Sequence, residues 1–206
     1  MDLYQVAGTR YALLRSNWDW IKEPLGVLCL WESVEQGKAV LTPDCELKYV
    51  IGVDTADGVG QDRTVIEVNR VGTRARPDEQ VAEWCGNINP NLLAPLVYAV
   101  CKLYSVDGEE PLLAIECNRG DGVMIQDTLL REYGYSNMYL RRTLDSSTRQ
   151  MTTKLGWKTT AQNKPMLWTR GIQWIKDHRW KINSPWFVEE LADFGYNAAR
   201  NEAGAV

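Results

Sequence analysis

Tyr49-Val50-Ile51-Gly52-Val53-Asp54-Thr55-Ala56-Asp57-Gly58-Val59-Gly60-Gln61-Asp62-Arg63-Thr64-Val65-Ile66-Glu67-Val68 is the stretch that decides how the rest of the chain reads. An apolar run ends in Asp54, a turn rich in Gly and Asp follows, and a second β-branched run starts at Thr64. This pattern predicts a buried strand, a tight loop and a returning strand. Asp54 then stands at the mouth of the first strand, on rigid backbone. A carboxylate so placed either performs chemistry or fixes the turn.

Downstream, the same alternation predicts strands over 49–54, 64–71 and 80–86, an antiparallel meander with short connections. Asn89-Pro90-Asn91 opens a helix, with an Asn cap, a Pro in the first turn, and Leu92, Leu93, Leu96, Val97, Val100 and Leu103 on its apolar face. Leu112–Ile115 reads as another buried strand, ending at Glu116. A helix over about 121–133 presents Val123, Ile125, Leu129 and Leu130, and Met138–Arg142 is a short fifth strand. A loop over 143–163, a helix over 165–177, a strand over 180–182 and a helix over 185–194 complete the pattern. Upstream, residues 2–16 read as weakly helical, and Trp18, Trp20 and Trp31 mark an irregular aromatic region of packing residues.

Bulk properties narrow the function classes. The chain has 206 residues, enough for one substantial core, and no run nears the roughly 18 apolar residues of a membrane span. Five cysteines, at 29, 45, 85, 101 and 117, lack CxxC spacing, and His178 is the lone histidine, which disfavours zinc and reads as a reducing compartment. Net charge is −4, yet residues 138–181 hold ten Lys/Arg against Asp145 and Asp177. The asymmetry points to an acidic half facing a basic, anion-binding half.

Asp54 and Glu116 each end an apolar strand. If the strand at 112 returns right-handedly beside the strand at 49, both emerge at one carboxyl edge, where open α/β sheets place their sites. Like charges brought close need a proton or a cation, and hard Mg²⁺ or Mn²⁺ suits oxygen donors. Two such ions can clamp an in-line phosphoryl displacement. The alternative is that Asp54 caps the turn while Glu116 pairs with Arg119 or Arg63. Asp62 is a weaker metal candidate, and the 58–62 loop matches neither a P-loop nor a dinucleotide fingerprint.

With those residues in view, the chain resembles an RNase H-like nuclease, and specifically the nuclease domain of tailed-phage large terminase subunits. The likeness rests on strand order, Gly52-Val53-Asp54-Thr55-Ala56-Asp57-Gly58 with Asp62-Arg63-Thr64, and Ala114-Ile115-Glu116-Cys117-Asn118. Leu155-Gly156-Trp157-Lys158-Thr159-Thr160 with Lys164-Pro165-Met166, and Trp180-Lys181-Ile182 leading into Phe187–Phe194, extend it over nearly the whole chain.

That resemblance implies an α/β fold: an RNase H-like mixed sheet, a three-stranded antiparallel meander plus parallel strands, flanked by helices. It implies a metal-dependent endodeoxyribonuclease cutting concatemeric double-stranded DNA with two Mg²⁺ or Mn²⁺ ions, Asp54 and Glu116 being catalytic metal ligands. Arg141, Arg142, Lys158 and Lys164 would follow the DNA backbone. Residues 1–48 would join an upstream ATPase domain to a nuclease domain over 49–206, and the portal and small terminase subunit would be partners in the host cytoplasm. The family's third acid follows its Phe-x-Tyr region; here Phe194-Gly195-Tyr196-Asn197 is followed by nine residues without an acidic pair. The reading therefore expects a truncated domain, with the third ligand beyond Val206 and Asp193 as a weak substitute. Rival readings are an actin/Hsp70-like nucleotide-binding half and a catalytically inactive docking module of the packaging motor.

Overall fold

Alternation along residues 49–54 and 64–70 is realised as two paired strands, with Ile51, Val53, Ile66 and Val68 on one buried face. The computed structural model describes residues 8–14, 19–22, 25–32, 34–35, 38–39, 48–56, 63–118, 120–144 and 148–192. Along the chain these hold β1 (Thr9–Leu14), β2 (Asp19–Lys22), β3 (Leu28–Leu30), the short pair β4 (Val34–Glu35) and β5 (Lys38–Ala39), β6 (Tyr49–Asp54), β7 (Thr64–Arg70) and β8 (Asp78–Gly86). Then come α1 (Pro90–Leu103), β9 (Leu112–Ile115), α2 (Gly120–Glu132), the ribbon β10 (Leu140–Leu144) and β11 (Met151–Leu155), α3 (Asn163–Lys176), β12 (Trp180–Lys181) and α4 (residues 185–192).

Among the described residues, eight strands form one sheet, ordered β2-β1-β3-β8-β7-β6-β9 with β12 beside β8. The expected meander is β6-β7-β8, and β9 runs parallel to β6 after the α1 crossover. Helices flank this mixed sheet, so the chain is α/β, as an RNase H-like arrangement requires. Asn89 caps α1, its Oδ1 accepting from the Asn91 N–H at 3.0 Å with Pro90 next in line. α1 and α2 cover one sheet face, and Leu93, Leu96, Val97, Ile125 and Leu129 pack there against Ile51, Val68, Leu113 and Ile115. Each such side chain contributes about 1.5–3 kcal/mol on leaving water.

Three expectations fail, each for a physical reason. Thr9–Leu14 is a strand, not part of a helix: Tyr11 is paired on one side with Lys22 and on the other with Leu28, and ladder bonds on both sides override weak helical spacing. Met138 does pair in parallel with Leu113, but the chain then leaves the sheet. Residues 140–144 instead pair with 151–155, inside the expected loop. On α2, Val123 and Leu130 are exposed, because only Ile125 and Leu129 of the four meet the core.

The outer edge of β8 is shared by two strands. β3 takes Ala82–Trp84 and β12 takes Asp78–Glu79, which brings residues 28–32 and 180–181 to the same sheet. A charge chain ties them: Arg70 bridges Glu32 and Glu79, Lys181 pairs with Glu79, and the Tyr49 hydroxyl donates to Glu32 at 2.8 Å.

Between those partners β8 carries a bulge. Val68 pairs with Ala82 but Asn69 pairs with Gln80, so Val81 is the extra residue and Gln80, Val81 and Ala82 are buried in succession. The bulge leaves Gln80 on the sheet face away from α1 and α2, where it anchors the start of α4. Its Oε1 accepts from the N–H groups of Asn183 (2.9 Å) and Ser184 (2.7 Å), while its Nε2 donates to Glu67 at 2.6 Å. Ser184 Oγ in turn accepts from the Phe187 N–H at 3.2 Å, inside the first turn of α4. Burial, and then the Glu83 carboxylate directly opposite, raise the Glu67 carboxyl well above the ordinary range; Glu190 of α4 adds to the same sign.

Two outcomes follow. Leu28, fully buried, should cost about 2–5 kcal/mol on replacement by Ala, whereas Leu25, 90% exposed, should cost less than about 0.5 kcal/mol, both read from urea denaturation. Equal costs would remove β3 from the core. A carboxyl whose folded pKa is raised favours the protonated state. Its stabilising contribution is full below its unfolded value, near 4.5, and is lost as pH rises through the folded value. Glu67→Gln should therefore gain melting temperature over the parent progressively as pH rises above about 4.5, and parallel curves would contradict this origin.

Candidate metal centre

Strand parity and register bring two carboxylates together. Val50, Gly52 and Asp54 of β6 alternate away from the core, as do Leu112, Ala114 and the residue following β9, Glu116. Val53 pairs with Ile115, and the Glu116 N–H donates to the Val53 carbonyl at 2.9 Å. One residue further on, Asp54 and Glu116 leave neighbouring parallel strands on the same face. A Cβ placed on Gly52 would meet nothing within 4 Å, so this face of β6 is open rather than packed.

Both side chains line one cavity of about 1020 Å³, bounded by the sheet on one side and by α3 and α4 on the other. Glu116 is half-buried, and its Oε1 accepts from Asn118 Nδ2 at 2.7 Å. Its backbone is fixed from several sides. The Trp157 N–H donates to the Ile115 carbonyl (2.8 Å), and the Cys117 N–H donates to the Trp157 carbonyl (2.7 Å). The first turn of α2 presses on the same peptide: a Cβ at Gly122 would sit 2.0 Å from the Glu116 carbonyl oxygen, so glycine is required by close approach. Gly156, at φ +76°, satisfies both backbone and space, since a Cβ there would lie 2.0 Å from Gln126 Nε2.

The ion-pair alternative for Glu116 does not involve Arg63. That guanidinium lies over the Trp186 ring, 4.7 Å from its centroid, and Arg119 lies outside the described residues. Asp62 and Asp193 also lie outside them. Among the described residues, no three His, Cys, Asp or Glu side chains cluster as a cation site. The described donors are a pair, Asp54 and Glu116. Both offer hard oxygen atoms, which fits Mg²⁺ or Mn²⁺ and disfavours softer metals.

The basic residues separate into two groups. Lys164, near the start of α3, lines the cavity with Asp54 and Glu116. A reciprocal pair holds this region: the Thr160 N–H donates to Asn163 Oδ1 (2.7 Å) and the Asn163 N–H donates to Thr160 Oγ1 (3.2 Å). Asn163 Nδ2 also donates to the Lys158 carbonyl at 2.9 Å, fixing the segment that carries the exposed Lys158. Arg141 and Arg142 stand on the β10–β11 ribbon and do not line the cavity. Arg142 is exposed. Arg141 has Nε and Nη1 buried with no hydrogen-bond partner, an arrangement that calls for an anion.

Sequence reasoning missed several lining residues: Arg63, Trp168, Trp180, Trp186 and Glu190. The signal for the last two was present, because Trp186, Phe187, Glu190 and Leu191 repeat at helical spacing and form one face of α4. Glu190 is an acid of that helix that lines the cavity. No helix among the described residues is long and apolar enough to cross a membrane.

No family model matches the chain, and comparison with curated proteins gives no match. Among solved structures it is similar to the human cytomegalovirus terminase nuclease domain, Mn soaked and inhibitor bound, with a TM-score of 0.38 and 10% sequence identity. The match covers 66% of this chain and 64% of that one, so it spans less than two thirds of the other chain's length.

Proposed function

We propose that this chain is a metal-dependent endonuclease domain that hydrolyses phosphodiester bonds of double-stranded DNA, acting in viral genome packaging as a phage terminase nuclease does. The observation that carries the proposal is the pair of carboxylates on adjacent parallel strand ends, in register and facing one cavity. Two carboxylates held side by side repel unless a cation neutralises them, and hard divalent ions are the ligands they fit.

Asp54 and Glu116 would hold Mg²⁺ or Mn²⁺ through their carboxylate oxygens. Such ions, when bound, supply Lewis-acid stabilisation to the attacking and leaving oxygens of an in-line displacement. Water adds to phosphorus as the bridging P–O bond breaks, the water losing a proton to solvent and the departing oxygen taking one up from it. Lys164, in the same cavity, stabilises negative charge that develops on the phosphoryl oxygens. Asn118 restrains the Glu116 carboxylate through its 2.7 Å hydrogen bond. Arg141, Arg142 and Lys158 contact backbone phosphates, which gives binding that is salt-sensitive and indifferent to sequence. Interaction with a portal, a small terminase subunit and an ATPase domain of the same protein, in the host cytoplasm, is proposed from the sequence resemblance alone.

Plasmid nicking and linearisation in Mn²⁺ or Mg²⁺ tests this reading. Cleavage should require the ion, and Asp54→Asn or Glu116→Gln should each lower the rate by about a hundredfold or more with the fold retained. A chain that cleaves equally well with either substitution, or without divalent ions, overturns the assignment. DNA binding without any cleavage would point to a docking module instead.

A further inference from the structure

The cavity holds charge of both signs. Asp54, Glu116 and Glu190 line it together with Arg63 and Lys164. Such a lining fits a cation and an oxyanion bound together better than either alone. Lys164 comes from α3, Arg63 from the edge of the sheet.

Strand parity sends the Arg63 side chain to the face that carries Asp54. Thr64, Ile66 and Val68 alternate into the core, so Arg63 and Val65 alternate outward, and Val65 is the register partner of Asp54. The Ala56 N–H donates to Thr64 Oγ1 at 3.1 Å, which ties the residues after Asp54 to the start of β7. The guanidinium then lies over the Trp186 ring of α4, 4.7 Å from its centroid. Its other neighbour is the Cys85 thiol, held in its neutral form by burial. Neither a ring nor a neutral thiol cancels the charge. Among the described residues no carboxylate, Glu190 included, is ion-paired with Arg63. Lys102 offers the contrast: it lies over Tyr98 on α1, across the sheet, and Glu110 answers its charge at 3.9 Å. A guanidinium held over a ring keeps its N–H donors at the rim, where they suit two oxygens of a phosphate.

We propose that Arg63 binds a phosphate of the strand held at the Asp54–Glu116 pair, and that Trp186 is its positioning residue. The proposal rests on the nuclease reading and deepens it, adding a substrate contact at the start of β7 and a role for α4.

Fluorescence anisotropy with a labelled duplex, in Ca²⁺ so that binding is read independently of cleavage, tests this. Arg63→Gln should weaken binding about tenfold or more and lower the slope of log affinity against log salt by about one. Arg63→Lys should keep the slope, which reports charge, while losing part of the affinity with the planar fork. Trp186→Ala should weaken binding about two- to fivefold in the parent and not at all in Arg63→Gln, whereas Trp186→Phe should stay near the parent. Lys102→Gln, which removes an equal charge outside the cavity, should bind as the parent does. An unchanged slope in Arg63→Gln, an equal loss in Lys102→Gln, or a Trp186→Ala effect that persists without Arg63 overturns the proposal. A parent that binds no duplex overturns it as well. Cleavage in Mg²⁺ or Mn²⁺ reports on the nuclease reading and the salt slope on Arg63, so either can fail alone.

Discussion

The parallel register between β6 and β9 is the constraint on which the site depends. With Val53 beside Ile115 and the Glu116 N–H bonded to the Val53 carbonyl, the last residue of one strand and the first beyond the other are neighbours. A slip of one residue would turn one carboxylate into the core. The register is locked by burial, since Ile51, Val53, Leu113 and Ile115 all face α1 and α2. It is locked again at Glu116, by the Trp157 bridge and by the glycine contact at the start of α2. Hydrophobic packing on one face thus fixes electrostatics on the other.

The second face is organised by polar contacts. A bulge in β8 leaves Gln80 there, and Gln80 holds the first backbone groups of α4. Through that helix the same network sets Trp186 and Glu190 on the cavity. Its cost is the proximity of Glu67 and Glu83, which the fold meets by favouring a proton on Glu67. Opposite lies α3, none of whose residues is buried and whose Lys164 lines the same cavity. The cavity thus sets Arg63 and Lys164 beside the acids Asp54, Glu116 and Glu190, and of these Lys164 belongs to the basic stretch 138–181 that the sequence sets apart.

Much of this was legible in the residues. Strong local patterns, the β-branched alternation of 49–54 and 64–70 and the Asn89-Pro90 start, specified elements that the tertiary structure keeps. The two carboxylates could be read because each ends an apolar run, and the right-handed crossover rule supplied their adjacency. Elements whose identity rests on partners were not legible. β1 lacks a strand signature of its own and is defined by β2 and β3. Met151–Leu155 carries no fully buried residue to announce a strand, and only Leu155 at its end packs against the core. Gln80 looked like an ordinary polar residue; only the bulge, which depends on a partner strand, reveals its role.

The central claim, that Asp54 and Glu116 share a divalent cation, is tested most directly by titrating the chain with Mn²⁺ and following free ion by electron paramagnetic resonance. Saturable binding to the parent is predicted, weakened by about tenfold or more in Asp54→Asn and again in Glu116→Gln, with competition by Mg²⁺. Binding that is absent from the parent, or that survives both substitutions unchanged, would contradict it.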